Sequence, residues 1–243
     1  QKLLQVYNEN NAPDAAGRLL GIIRMQEGDL EGAEQYFSQH IDPETANPEV
    51  LRLLAENELR LNKSAEALKI IEDNINKSPD NADLLSVYGL AALAEGEDAK
   101  GLAAIEKALT LDPQRTKLRA ALADHYLRTG KLAAAIEQMK LAVEKTPEDL
   151  SLRTQLVRIL FLAKRTDDVK QQAMALEKDF ANNAEALSIA GSANLQLKMP
   201  EQSRADFDKA LQLDKNNINS LIGVALLEMQ AKKWDSATEY ANK

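Results

Sequence analysis

The sequence contains no cysteine among its 243 residues and only two histidines. It therefore has no disulfide, no thiolate zinc site and no cysteine nucleophile. His40 and His125 lie far apart in the chain, which leaves few side chains for metal binding or acid–base catalysis. We accordingly predict no metal, no cofactor and no catalytic residue in this chain.

Long apolar runs and an excess of positive charge are also missing. The longest apolar stretches, such as 159–163, are far too short to span a bilayer, so no direct membrane insertion is expected. Acidic residues outnumber basic ones by 38 to 30, which gives a formal net charge of −8. This balance argues against nucleic acid as a partner. An apolar fraction of 44% is nevertheless typical of a chain that folds around a core.

The most informative feature that is present is a period of 34 residues. Pro79, Pro113 and Pro147 are separated by that step. A second set of residues recurs at the same step and is small in every case but one: Ala33, Ala67, Gly101, Ala135, Val169, Ser203 and Ala237. An apolar position follows four residues later each time. A fixed period of this length is typical of a solenoid of helix pairs.

The period divides the chain into six full units and a truncated seventh. The predicted units are 14–47, 48–81, 82–115, 116–149, 150–183, 184–217 and 218–243, after a segment 1–13 that we interpret as the end of a preceding repeat. Each unit has the i, i+3, i+4, i+7 apolar spacing of two amphipathic helices. We therefore predict an all-α fold, a right-handed superhelical solenoid of antiparallel helix pairs, in one continuous array that is a fragment of a longer protein.

The turn between the two helices of a unit is predicted at one position of the period. The residues at this position are Gly28, Asn62, Gly96, Gly130, Lys164, Lys198 and Lys232. Glycine and asparagine tolerate the left-handed conformation that such a turn requires. The small residues that recur at Ala33, Ala67, Gly101 and their equivalents should let the two helices of a unit approach closely. Trp234 is expected to pack across its own repeat.

The pattern resembles the tetratricopeptide repeat (TPR) family over essentially the whole chain. The best matching residues are Tyr88, Gly89, Gly101, Ala108 and Pro113; Tyr126, Gly130, Ala135, Ala142 and Pro147; and Ala190, Gly191, Phe207 and Ala210. The unit 150–183 is divergent, with Val157 where the family has glycine. The resemblance implies a protein-interaction scaffold without catalytic activity.

In the TPR family the first helices line the concave face of the array. The resemblance therefore implies that binding residues lie on the first helices, outside the packing stripes. The candidates are Arg18, Arg52, Glu56, Arg60, Lys117, Asp124, Arg128, Thr154, Arg158 and Phe161, and equivalent positions hold Ser188, Ser192, Asn219, Leu226 and Met229. Arginine binds carboxylates through two parallel hydrogen bonds. The expected ligand is an extended or helical segment of a protein or peptide partner with acidic groups, or an acidic polymer.

The alternative to a binding role is that most of these charged side chains are solvated or paired locally, as Arg52 would be with Glu56 four residues later. Chaperone-binding members of the family use Lys and Asn at the fifth and ninth positions of a unit. No unit here has that pair, which disfavours a co-chaperone role.

Three functional classes stay open: a scaffold, a structural spacer that associates end to end with other copies, and an enzyme with catalytic residues outside this segment. The composition is also similar to bacterial proteins of exopolysaccharide synthesis or export, or of surface-protein sorting. The lack of cysteine is compatible with a periplasmic or envelope-associated location, with the cytoplasm as the alternative.

Overall fold

The structure, a computed structural model, describes residues 14–243 apart from the side chain of Asp73. The predicted end of a preceding repeat, residues 1–13, lies outside them. The described residues form fourteen helices and no strand, which confirms the predicted all-α fold. In chain order the helices are α1 (Asp14–Glu27), α2 (Leu30–His40), α3 (Pro48–Arg60), α4 (Ser64–Ile75), α5 (Ala82–Ala94), α6 (Asp98–Leu111), α7 (Thr116–Arg128), α8 (Leu132–Lys145), α9 (Leu150–Leu162), α10 (Thr166–Asp179), α11 (Ala184–Gln196), α12 (Pro200–Leu213), α13 (Ile218–Gln230) and α14 (Trp234–Ala241).

The chain separates into two compact units, the first ending at Leu122 and the second beginning at Ala123, within α7. Odd-numbered helices are the first members of helix pairs, and they begin at the residues from which the 34-residue period was counted. Buried small and aliphatic side chains fill the space between helices, as do Ala67 and Ile71 in the first unit and Phe207 and Val224 in the second. One continuous array through both units stays a prediction.

Side chains that immediately precede the first helices cap their N-termini. The capping residues are Asn47, Asn81, Asp149, Asn183 and Asn217, each of which accepts a hydrogen bond from a backbone N–H in the first turn of the following helix. Each cap satisfies a donor that the helix itself leaves unpaired, at a typical gain of about 1 kcal/mol. Every such helix thus starts at a signal encoded next to it.

The turns inside the helix pairs have the left-handed conformation that the sequence predicts. The residues with positive φ are Gly28 (85°), Asn62 (59°), Gly96 (81°), Gly130 (74°), Lys164 (55°), Lys198 (59°) and Lys232 (59°). Glycine adopts this conformation without strain, whereas for a residue with a side chain it costs about 1–2 kcal/mol. Three turns of the second unit therefore carry strain at lysine.

We expect Lys164→Gly, Lys198→Gly and Lys232→Gly each to stabilise the second unit by up to about 1 kcal/mol, because relief of the strain exceeds the entropy that glycine loses on folding. Urea denaturation followed by circular dichroism measures the change. Lys170→Gly is the matched control, since Lys170 lies exposed inside α10, where glycine should cost about 1 kcal/mol. A loss of stability in all four variants would contradict the prediction.

Trp234 differs from expectation. It begins α14, but 61% of its surface is exposed, so the prediction that it packs across its own repeat is wrong. The space between α13 and α14 is filled instead by Val224, Leu227 and the partly buried Tyr240. Ala237 is the buried residue of α14, and Trp234 at the start of this helix lies mostly outside the packed stripe.

Candidate functional site

The first unit contains a groove between the first helices α3 and α5 and the start of α7. A cavity of about 440 Å³ occupies it, and the predicted site residues Arg52, Glu56 and Lys117 line it together with Asp83, Ser86, Val87, Leu90 and Arg115. The structure thus brings Lys117 together with Arg52 and Glu56, two neighbours on α3 that are far from Lys117 in sequence. Arg115 was missed by the sequence pattern because it belongs to the turn before α7 rather than to a helix face.

The two arginines of this first groove are paired with carboxylates, whereas Lys117 is exposed and has no ion pair among the described residues. The Arg52 Nη1 atom lies 2.6 Å from Glu56 Oε2, as the local interpretation of the sequence expected. The Arg115 Nη1 atom lies 2.9 Å from Asp83 Oδ1, and its Nε lies 3.1 Å from Asp112 Oδ2. A ligand carboxylate would therefore compete with carboxylates already in place.

The second unit contains a groove between α9, α11 and the start of α13, with a cavity of about 640 Å³. Its polar lining consists of Thr154, Arg158, Ser188, Ser192, Gln196 and Asn219, and its apolar lining of Val157, Phe161, Leu162, Ile189 and Ala193. Three predicted residues, Thr154, Arg158 and Phe161, meet here. Arg158 is the one charged residue of this lining, so the groove has no carboxylate of its own.

Two polar groups of the second groove have no partner among the described residues. Arg158 is exposed and makes no ion pair or hydrogen bond with any described residue. The Ser188 side chain is only 1% exposed, and its hydroxyl has no hydrogen-bond partner. Ser86 occupies the same position in its own unit, where its hydroxyl donates to the carbonyl of Ala82 at 2.6 Å. The buried Ser188 hydroxyl is thus unusual even for this position of the repeat.

Apolar surface continues from the second groove along α13. Ile222, Leu226 and Met229 are 52%, 43% and 47% exposed. They follow Asn219 at the spacing of one helix face, because residues three, seven and ten positions apart lie on the same side. Leu162, at the edge of the cavity, is 59% exposed. Contiguous exposed apolar side chains of this kind mark an interaction surface.

The remaining predicted residues line neither groove. Arg60 is held by the fold, since its Nη1 donates to the backbone carbonyl of Met25 at 3.0 Å. Asp124 and Arg128 pair with each other on an exposed surface at 3.2 Å. Arg18 lies half-buried on α1, outside both linings. For these four residues a binding role stays a prediction.

A separate polar cluster lies buried between α11 and α12 in the second unit. The Asn194 side-chain amide donates to Asp206 Oδ2 at 2.8 Å and to Glu177 Oε1 at 3.1 Å. Asp206 is only 3% exposed. Burial is the main cause that raises the pKa of Asp206 from 3.8 to about 6, against the lowering effect of the Asn194 hydrogen bond. This cluster joins three helices, since Glu177 lies on α10, and it borders neither groove.

Among the residues whose side chains the structure describes, no three acidic or histidine side chains are grouped as a metal would require. The buried His125, only 3% exposed, lies inside α7. None of the helices that the structure describes combines the length and the apolar character of a membrane span.

Two curated proteins are similar to this chain in sequence. The type IV pilus assembly protein PilF of Pseudomonas aeruginosa is 24% identical over 168 residues, which are 68% of this chain and 67% of PilF. A DnaJ homolog subfamily C member 7 homolog of Schizosaccharomyces pombe is 23% identical over 193 residues, which are 72% of this chain but only 40% of that protein. This chain thus spans less than half of the second relative.

Solved structures show the same fold. The C-terminal part of a TPR repeat-containing protein from Cytophaga hutchinsonii superimposes with a TM-score of 0.65 at 14% identity, covering 90% of this chain and 91% of that one. A tetratricopeptide repeat protein from Parabacteroides merdae gives 0.58 at 17% identity, covering 97% and 90%.

Family models give the assignment. Models of the tetratricopeptide repeat match residues 52–116, 92–152 and 184–217, which include the resemblance noted around Gly89, Gly101 and Phe207. Proteins of this family are generally scaffolds that bind other proteins and carry no catalytic activity. The repeat period, the helix pairs and the matching models agree, and this chain is a member of the tetratricopeptide repeat family.

Proposed function

We propose that this chain is a non-catalytic scaffold that binds an extended or helical segment of a protein partner in its grooves. The single observation that carries the proposal is the second groove, an open cavity of about 640 Å³ that collects Thr154, Arg158 and Phe161 from one face of α9. Such a groove accepts a peptide through apolar contacts and a few placed polar groups.

The proposal extends to a bacterial envelope assembly system as the setting. PilF, a relative that matches two thirds of this chain, is a type IV pilus assembly protein by name, and this similarity supports an envelope setting. A role in exopolysaccharide synthesis or export, or in surface-protein sorting, stays a prediction, as do an acidic polymer as ligand and end-to-end self-association.

Selection of a displayed library of random 16-residue peptides on the immobilised chain tests the scaffold function. Peptides that survive selection should lose at least about tenfold in affinity when Ser192→Trp fills the second groove, since a blocked cavity removes most of the buried contact. Fluorescence polarisation of labelled peptides measures the affinity.

Lys170→Trp places the same bulk on a second helix, outside both grooves, and should leave peptide binding unchanged. Failure to select any peptide would overturn the scaffold function for this chain and would favour the spacer. Equal weakening by both tryptophan variants would show that binding does not depend on the groove.

A further inference from the structure

We infer that the second groove is the ligand-binding groove of this chain, and that its ligand is an apolar peptide segment with one acidic side chain that pairs with Arg158. This inference rests on the proposed scaffold function and specifies which groove is used and what the ligand is. It is carried by a contrast between the two grooves, which have the same place in the repeat: the first contains carboxylates that pair with its arginines, and the second contains an arginine without any carboxylate.

The first step of the argument is charge complementarity. In the first groove Arg52 and Arg115 are already neutralised by Glu56 and Asp83 at 2.6 and 2.9 Å. In the second groove Arg158 has no such partner, and no acidic residue lines the cavity. In a chain of net charge −8, an arginine in a groove without carboxylates is a selective place for an incoming carboxylate, because the guanidinium can bind both of its oxygens.

The second step concerns the Ser188 hydroxyl. A buried hydroxyl without a partner has lost its hydrogen bonds to water and gained none in return, which typically costs about 1–3 kcal/mol. Ser188 has this state, with 1% of its surface exposed, and the residue belongs to the lining of the cavity. Because the hydroxyl is closed off from solvent, a ligand reaches it only when neighbouring side chains move, and binding that opens the site in this way removes the cost.

The third step concerns the remaining surface. Val157, Phe161, Leu162, Ile189 and Ala193 make the rest of the lining largely apolar. Ile222, Leu226 and Met229 carry exposed apolar surface further along α13. A groove with one charge in an apolar lining fits an apolar ligand with one opposite charge. Any additional charged side chain of the ligand would lose its water without gaining a partner. A densely acidic ligand is therefore disfavoured.

The experiment uses the peptides selected from the random 16-residue library on the complete chain. Apolar peptides with a single Asp or Glu should dominate. Arg158→Gln should weaken their binding about tenfold or more, since a hydrogen bond to a charged group contributes about 1.5–3 kcal/mol. Changing the peptide Glu to Gln should cause a similar loss, and the two changes together should cost no more than either alone.

Two matched controls separate binding from folding. Arg165→Gln removes the same charge from an exposed arginine that is neither a candidate site residue nor part of the cavity lining, and it should change affinity less than twofold. Ser188→Ala should weaken binding severalfold while leaving the thermal midpoint of the free chain unchanged or raised. Ser86→Ala, which removes a hydroxyl that is already bonded, should leave binding unchanged.

The outcomes distinguish this inference from the function on which it rests. Selected peptides that bind equally well to Arg158→Gln, that weaken with Arg52→Gln instead, or that carry no acidic residue would overturn the inference and leave the scaffold function standing. Absence of any selected peptide would overturn both.

Discussion

Replacement of Gly101 by leucine is expected to destabilise the first unit by about 3 kcal/mol or more, because it forces apart two helices whose backbones touch. A Cβ atom at Gly101 would lie 2.9 Å from the backbone oxygen of Gly89 and 2.7 Å from the Leu93 side chain. The reverse also holds, since a Cβ atom at Gly89 would lie 2.9 Å from the Gly101 oxygen. A backbone oxygen cannot rotate away as a side chain can.

Helix propensity acts in the opposite direction but is smaller. Leucine favours a helix interior over glycine by about 0.8 kcal/mol, which is well below the cost of overpacking. Ala99→Leu is the matched control, because Ala99 is exposed on the same helix two residues earlier. It should change stability by less than about 0.5 kcal/mol.

Urea denaturation by circular dichroism and hydrogen–deuterium exchange over α5 and α6 measure both variants. The exchange experiment localises the effect, because the loosened helices should lose protection before the second unit does. Equal stability of Gly101→Leu and Ala99→Leu would contradict the close approach of these two helices.

Replacement of Asp206 by asparagine is expected to stabilise the second unit at neutral pH by about 2 kcal/mol. Burial raises the pKa of Asp206 from 3.8 to about 6, so at pH 7.5 the folded protein holds an ionised carboxylate at an unfavourable site. This difference between the pKa of the unfolded and the folded state corresponds to at most about 3 kcal/mol of folding free energy. Asparagine has the same shape, carries no charge and still accepts the hydrogen bond of Asn194.

The direction in which Asp206 affects stability follows from how the stability depends on pH. Between about pH 4 and pH 6 the unfolded carboxyl has lost its proton while the folded one retains it, so the folded state binds more protons and the stability of the natural chain falls as the pH rises. Above about pH 7, one unit beyond the folded pKa, both states are ionised and the loss is complete. The stability difference between Asp206→Asn and the natural chain should therefore grow across this window and then stay constant.

Trp234 is the only tryptophan and lies in the second unit, so its fluorescence reports the relevant transition in urea titrations at pH 4, 5, 6 and 7.5. Asp167→Asn is the control, since Asp167 is exposed near the start of α10 and should show no growing difference. A stability difference between Asp206→Asn and the natural chain that is independent of pH would show that Asp206 is not buried as a charge.

The helices and their turns were predictable because they depend on short-range pattern. The period placed positive φ at Lys164, Lys198 and Lys232, where residue type alone argues against it, since the other recurring positions of the repeat locate the same turn. The packing of Trp234 was predicted wrongly from its size, because the residue begins α14 and lies mostly outside the stripe that this helix buries. Apolar character predicts burial only for residues on the packed stripe.

From the sequence, the candidate site could be predicted only as one exposed face of the first helices. Period and family resemblance placed Arg52, Arg60 and Arg158 at equivalent surfaces, yet their partners make them different. Arg60 bonds to a backbone carbonyl 35 residues earlier, Arg52 pairs within its helix, and Arg158 does neither. Such differences depend on rotamers and on side chains of neighbouring repeats, which a periodic pattern in the chain does not encode.

The capping residues Asn47, Asn81, Asp149, Asn183 and Asn217 have a consequence for how this protein can change over generations. Each of these five helix pairs carries its own start signal next to its first helix, and repeats of this kind contact mainly their neighbours in a stack. A duplicated or deleted stretch of one period would bring or remove its own signals without disturbing the others. Selection can therefore lengthen or shorten the binding surface by whole modules while the chemistry of each module evolves separately.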